Sequence, residues 1–138
     1  KDHFTVVRNP YKKFCSCINV IHQIYEAPIE EYYKLRDKDC FTSMLDNNRH
    51  DISYHNGWYR PQHEFISDKT HVWKYEDGFG TNFLNWINQT FDLDLEEKNI
   101  LEYSGDAKEE RQYIIHEDEK IESYIREYYS KDYEVFNY

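Results

Sequence analysis

The sequence is short of several things, and each shortage excludes a class of protein. No stretch approaches the length of an apolar membrane span, and no signal-peptide pattern is visible. Cysteine is limited to Cys15, Cys17 and Cys40, too few and too irregularly spaced for a disulfide framework. Cys15 and Cys17 stand two apart on a helical pattern and face different directions, so they do not form a metal pair. Three free, partly buried thiols in a reducing compartment are expected. Positive charge is scarce as well. A net charge of −10 argues against sequence-independent nucleic-acid binding, which depends on phosphate neutralisation. Glycine is rare, and Gly78 and Gly80 flank Phe79 in a turn with no Gly-Lys-Ser/Thr after it, so no phosphate loop is present in these residues. His50, His55 and His63 lack the spacing of a zinc pattern, and no metal site is expected.

Aliphatic residues are few, and Ile, Leu, Val and Phe together make up little more than a fifth of the chain. The 14 Tyr and 3 Trp offset this, because large rings supply much burial per residue. A folded domain with an aromatic-rich core follows, and 138 residues fit a single domain, residues 1–138. Charge is unevenly spread. Residues 91–138 hold 15 acidic and 6 basic side chains, whereas residues 1–13 hold four basic and one acidic. The anion-binding end is therefore the start of the chain, and the acidic half reads as a solvated surface. Asn88-Gln89-Thr90 is a formal glycosylation sequon, of little weight in a chain this rich in Asn.

Residues 4–18 organise the rest. Phe4, Thr5, Val6 and Val7 predict a strand buried on both faces. Asn9 suits an N-cap and Pro10 the first helical position, where a missing N–H costs nothing. Phe14, Cys17, Ile18, Ile21 and Tyr25 then recur at helical spacing on one core-facing stripe. Arg8 thus leaves the carboxyl end of a strand, and Ser16 lies about two turns into the helix. Ligands of open α/β sheets sit in the crevice outside such strand ends. A buried parallel strand this early implies residues before Lys1.

Further along, Pro28 opens a second helix carrying Tyr32, Tyr33 and Leu35, which the polar residues 37–39 end. Phe41, Met44 and Leu45 predict a short helical turn, and residues 46–58 a surface loop. Val72 and Lys74 alternate with Trp73 and Tyr75 in a strand that finishes at Glu76. Thr81 is placed to cap a helix with Phe83, Leu84, Ile87 and Phe91 on its core face. Residues 92–98 read as an acidic connector, residues 100–103 as a short apolar anchor and residues 104–108 as a mobile loop. A last helix aligns Ile114, Ile121, Ile125 and Tyr128, with Glu122–Arg126 and Glu127–Lys131 paired outside.

Three of these segments, in this order, resemble the PAPS-dependent sulfotransferases, those of the carbohydrate type above all (PAPS is 3′-phosphoadenosine 5′-phosphosulfate). They are Arg8-Asn9-Pro10 with Ser16, Pro61-Gln62 ahead of the strand ending in Tyr75-Glu76, and the tail Tyr128-Tyr-Ser-Lys-Asp-Tyr-Glu-Val-Phe-Asn-Tyr138. The resemblance implies a P-loop-like α/β fold, a parallel sheet flanked by helices, of which this chain carries the later portion and lacks the donor-loop unit. It implies that Arg8 and Ser16 hold the 3′-phosphate of PAPS or of its product PAP, with Asn9 and Lys12 beside them. Lys12-Lys13 stand where an acidic-basic pair is common in the family, which strengthens nucleotide attraction. Lys108 or Arg111 could cover the nucleotide, although an exposed, solvated charge is the expected role of each. Gln62 or His63 could face the acceptor, with Gln62 bracing the loop and His63 solvated as the preferred reading. Tyr133, Phe136 and Tyr138 are expected to pack the tail onto the core.

The implied reaction is sulfuryl transfer from PAPS to a hydroxyl acceptor, a carbohydrate first and otherwise a small hydroxylated molecule. The acidic half makes a highly sulfated polyanion an awkward substrate. The family's catalytic base usually lies upstream of Arg8, so the resemblance assigns none to a residue of this chain. A non-catalytic interaction or structural module derived from the same fold, completed by an upstream segment or another chain, is the alternative. A nucleotide kinase is weakened by the absence of a phosphate loop.

Overall fold

The fold is seen in a computed structural model, which describes residues 1–26, 28–49, 58–97 and 118–138. In chain order the described elements are β1 (His3–Val7), α1 (Pro10–Tyr25), α2 (Ile29–Tyr33), α3 (Lys38–Arg49), β2 (Thr70–Lys74), α4 (Thr81–Phe91), α5 (Glu119–Tyr128) and α6 (Ser130–Phe136). Short 3₁₀ turns occupy Lys34–Arg36, Gln62–Phe65 and Tyr75–Asp77. The architecture is mixed α/β. It forms two compact units, one drawn from Lys1–Arg8 and Ser67–Gln112, the other from Asn9–Ile66 and Tyr113–Tyr138.

The first unit is built on a two-stranded parallel sheet, with β1 and β2 in register from His3 opposite Thr70 to Val7 opposite Lys74. Side chains alternate across a strand, so Phe4, Val6, His71 and Trp73 share one face. The rings of α4 meet that face. Phe4 lies 6.1 Å from Phe83, 5.9 Å from Trp86 and 6.0 Å from Phe91, and Trp73 lies 5.3 Å from Phe83 and 5.1 Å from Trp86, centroid to centroid. Tilted and edge-on approaches match the quadrupoles of the rings, so few residues bury much surface. The Trp73 indole N–H donates to the Gly78 carbonyl at 2.8 Å and fixes the turn after β2. Gly78 has φ of 76°, a conformation that glycine adopts without a Cβ penalty.

Three expectations are corrected here. β1 is not buried on both faces: Phe4 is 43% exposed and Val6 37%, and only Val7 is fully buried. Among the described residues β2 is its one neighbouring strand, and an aromatic helix covers one face without enclosing it. The cap of α4 is Gly80, with no side-chain hydrogen bond, and Thr81 is the first helical residue. Glu76 lies in the 3₁₀ turn that follows β2, one residue past Tyr75.

The second unit is helical around a core of Phe14, Ile18, Tyr32, Leu35, Phe41, Leu45, Tyr59, Ile121, Ile125 and Tyr129. The Asn9 side chain accepts the Lys12 N–H at 3.2 Å and Pro10 takes the first turn, so α1 starts as its sequence requires. Its stripe buries Phe14 and Ile18 with Cys17 and Ile21 half-buried beside them, and Cys15 and Asn19 are buried too. Pro28 precedes α2 as its cap residue. Asp37 ends the 3₁₀ turn that follows α2, as expected, and also starts the next helix: its carboxylate accepts the Cys40 N–H at 2.9 Å, and α3 runs the full length Lys38–Arg49. The short turn expected at Phe41, Met44 and Leu45 is therefore a three-turn helix, and the predicted loop gives up residues 46–49 to it. Glu127 also departs from expectation, pairing with Lys38 at 2.8 Å, while Glu122 meets Arg126 at 3.4 Å as its spacing predicts. Phe136 is buried, and Tyr133 packs on the core.

The expectations for His50 and His55, for the remainder of the 46–58 loop up to residue 57, for residues 100–108, for Arg111 and for Ile114 lie outside the described residues, as does the side chain of Tyr25. No described helix is long and apolar enough to cross a membrane.

Candidate functional site

Parallel pairing of β1 and β2 sets their carboxyl ends side by side. Val7 is in register with Lys74, so the next residues, Arg8 and Tyr75, emerge at the same edge of the sheet. The Arg8 guanidinium carbon lies 4.6 Å from the centroid of the Tyr75 ring. Such stacking uses the π face of the guanidinium and orients its in-plane N–H fork, the part that matches a phosphate. The sequence segments carrying Arg8 and Tyr75-Glu76 are thus brought together within the first unit.

Asn9, Lys12 and Ser16 belong to α1, in the second unit. The Asn9 side chain serves the helix as its cap. Lys12 is exposed one turn on, and Ser16 is half-buried. Lys13 is held within the second unit: its ammonium donates to the Arg60 carbonyl at 3.0 Å. Burial pushes the Lys13 amine below its ordinary value, and Cys17 and Asp132 act in the opposite sense.

Lys13 also lines a narrow crevice of the second unit with Pro10, Phe14, Trp58, Gln62, Tyr129 and Asp132. Asp132, 1% exposed, is its most unusual member. Its Oδ2 accepts the Gln62 N–H at 2.7 Å and its Oδ1 the His63 N–H at 2.9 Å, so the carboxylate closes the start of the 3₁₀ turn. The same Oδ1 is 2.7 Å from Nδ1 of His63. A carboxylate only accepts, so in this contact His63 Nδ1 is the donor. Beside it, the Tyr129 hydroxyl donates to the Tyr59 carbonyl at 2.7 Å. Burial raises both of these phenols, which keeps them neutral donors.

In comparisons with family models, curated proteins and solved structures, the chain found no match. The site therefore has to be judged on its own geometry.

Gln62 does brace its loop, buried and tied through its backbone to α6. His63 corrects the expectation of a solvated imidazole, because its ring is held on Asp132 and its side chain is 28% exposed. Asp132 was not singled out from the sequence. The signal was there: Tyr129, Asp132 and Phe136 recur at helical spacing, which sets an acid within a buried stripe.

The cysteines form no disulfide. Cys15 is buried, Cys17 is half-buried with its thiol 3.6 Å from the Trp58 carbonyl, and Cys40 is exposed, not partly buried as expected. Among the described residues no three acidic, histidine or cysteine side chains gather as a metal site. Asn88, the sequon residue, lies on α4 and uses both ends of its amide: Nδ2 donates to the Leu95 carbonyl at 3.0 Å and Oδ1 accepts the Leu95 N–H at 2.9 Å.

Proposed function

We propose that the chain is the later portion of a PAPS-dependent sulfotransferase with a P-loop-like α/β fold, transferring a sulfuryl group to a hydroxyl of a carbohydrate or a small hydroxylated molecule. The observation that carries this reading is the juxtaposition of Arg8 and Tyr75 at the carboxyl ends of two parallel strands. An anion-binding guanidinium at that edge of an α/β sheet is where a nucleotide phosphate is bound by such folds. In this reading Arg8 grips the 3′-phosphate bidentately, Ser16 adds a hydroxyl donor from α1, and Asn9 and Lys12 hold and neutralise the turn between them. The remaining chemistry is in-line transfer: a base takes the hydroxyl proton while cationic groups steady the departing bisphosphate.

Calorimetric titration with PAP tests the reading. The parent chain should bind, and Arg8→Ala should weaken binding by tenfold or more, with Ser16→Ala weakening it less. Equal affinity for parent and Arg8→Ala would sink the assignment. A second reading, a non-catalytic module, draws support from the Tyr75 stacking, which also suits an arginine kept for cohesion of the sheet edge. A parent chain that ignores PAP would favour it.

A further inference from the structure

β1 has an outer edge with a charge of opposite sign at each end. The His3 N–H donates to the Lys69 carbonyl at 3.2 Å, so His3 turns its backbone toward β2. Successive residues of an extended strand turn their N–H and C=O to opposite sides, which puts those of Phe4 and Val6 on the outer edge. Among the described residues no strand lies there. An edge of this kind is a template for a further strand. The side chains of the same two residues are 43% and 37% exposed, on the face that carries the α4 rings, so a strand laid alongside would cover apolar surface as well as pair backbone. Asp2 and Arg8 continue the alternation at the two ends of β1, one acidic and one basic. Asp2 is exposed, and Arg8 is stacked on Tyr75.

We propose that this edge binds a second copy of the chain, β1 antiparallel to β1 of the other copy and centred on Thr5. A two-fold interface uses the same patch on both copies, and two identical strand edges related in this way run antiparallel. The Thr5 register sets Phe4 opposite Val6 and Asp2 opposite Arg8, each pair occurring twice by symmetry. Opposed residues point to one face, so Phe4 and Val6 stay on the side of the α4 rings, and each such pair exchanges both of its backbone hydrogen bonds. The charges select this register. Centring on Phe4 would set Asp2 against Val6, and centring on Val6 would set Phe4 against Arg8, which places charge on apolar side chains. Centring on Thr5 matches apolar with apolar and acid with base. The product is a four-stranded sheet, β2-β1-β1-β2, with both aromatic helices on one face and Phe4 and Val6 covered at its middle. The contact is small, so the dimer belongs to the weak, concentration-dependent class. It does not rest on the sulfotransferase reading.

Sedimentation velocity of the parent and of two charge variants, across a dilution series, tests the proposal. The parent should pass from monomer to dimer as concentration rises. Asp2→Arg opposes two basic side chains and Arg8→Asp two acidic ones, so each variant alone should lose dimer affinity by about a hundredfold. An equimolar mixture of the two restores opposite charges at both ends and should recover a dimer as tight as the parent's. Thr5→Cys, made together with Cys40→Ser to remove the exposed thiol, checks the register. The Cα atoms of such a central pair lie about 4.5 Å apart, within disulfide reach, so air oxidation should give a reducible covalent dimer. Phe4→Cys in the same background lies opposite Val6 and should not bridge to its own copy. Where Arg8→Asp fails to fold by circular dichroism, the cysteine pair decides. A parent that stays monomeric up to about 1 mM overturns the proposal and leaves the edge to a different strand. A mixture that dimerises no better than its parts, or a Thr5→Cys chain that bridges no more than Phe4→Cys, overturns it too.

Discussion

Asp132 Oδ1 and His63 Nδ1 meet at 2.7 Å across 69 residues of sequence, and the same carboxylate accepts the N–H groups of Gln62 and His63. One buried side chain therefore ties α6 to the turn after Pro61. Asp132→Ala leaves those donors without their acceptor inside the unit, at on the order of 2–4 kcal/mol. His63→Ala keeps the two backbone donors on the carboxylate and should cost about 1 kcal/mol. Urea midpoints followed by far-ultraviolet circular dichroism separate the two, and equal losses would show that the carboxylate is not the tie.

Asp118 caps α5, accepting the N–H groups of Lys120 and Ile121 at 3.1 and 3.2 Å and the Arg36 guanidinium. Burial alone would raise its acid, but Arg36 and the two backbone donors outweigh it and hold the carboxyl below the usual 3.8. Asp37 is likewise lowered, first by the Cys40 N–H. A carboxyl depressed in the folded chain contributes stability that is present above its unfolded value and lost as pH falls through its folded one. Stability should thus decline on the acid side of about pH 4, and decline less steeply in Asp118→Asn. Asp118→Ala should cost about 1 kcal/mol at neutral pH. A denaturant series at pH 7, 4 and 2.5 reads both effects, and an unchanged acid slope in Asp118→Asn would count against the linkage.

Leu45 and Ile125 are both 0% exposed in the core of the second unit. Truncating either to Ala should cost about 2–5 kcal/mol, transfer loss and cavity together. Ile24, 48% exposed on α1, should cost less than about 0.5 kcal/mol on the same change. Thermal unfolding of the three variants orders them, and a large loss at Ile24 would contradict its exposure.

Trp73 and Trp86 have ring centroids 5.1 Å apart with planes at 45°. Two indoles this close and this inclined couple their transitions. Trp86→Phe should abolish the coupled feature in the ultraviolet dichroism of the first unit, and Trp58→Phe should leave it intact. A spectrum unchanged in Trp86→Phe would contradict the packing of α4 on the sheet.

The parts of the fold that were legible in the sequence rest on local rules. Asn9 and Pro10 mark a helix start that no packing had to reveal, and the alternation around residues 70–75 marks β2. What failed was decided at longer range. Asp37 ends one helical segment as its polarity suggests, but its second role, starting the next, is selected by the burial of Phe41 and Leu45 in the core shared with α1 and α5. Phe4 and Val6 look like residues of a sheet interior, but exposure depends on how many strands lie alongside, which pattern does not encode. At the candidate site, Arg8 stood out by its place after a strand, whereas its stacking on Tyr75 required the register of two strands. Asp132 was overlooked because a tyrosine-rich tail suggests packing, and its partners come from the distant residues 62 and 63.

β1 finds its partner 67 residues downstream, since His3 pairs with Thr70. At about 5–20 residues per second of synthesis, β1 waits roughly 3–13 s between its own appearance and that of β2. The rings that meet Phe4, those of Phe83, Trp86 and Phe91, come later still. Through that interval α1 to α3 can already condense, because their mutual contacts are close in sequence. Their core is completed only later still, when Ile121, Ile125 and Tyr129 are made. The opening strand stays a client for chaperones until the chain has doubled back to receive it.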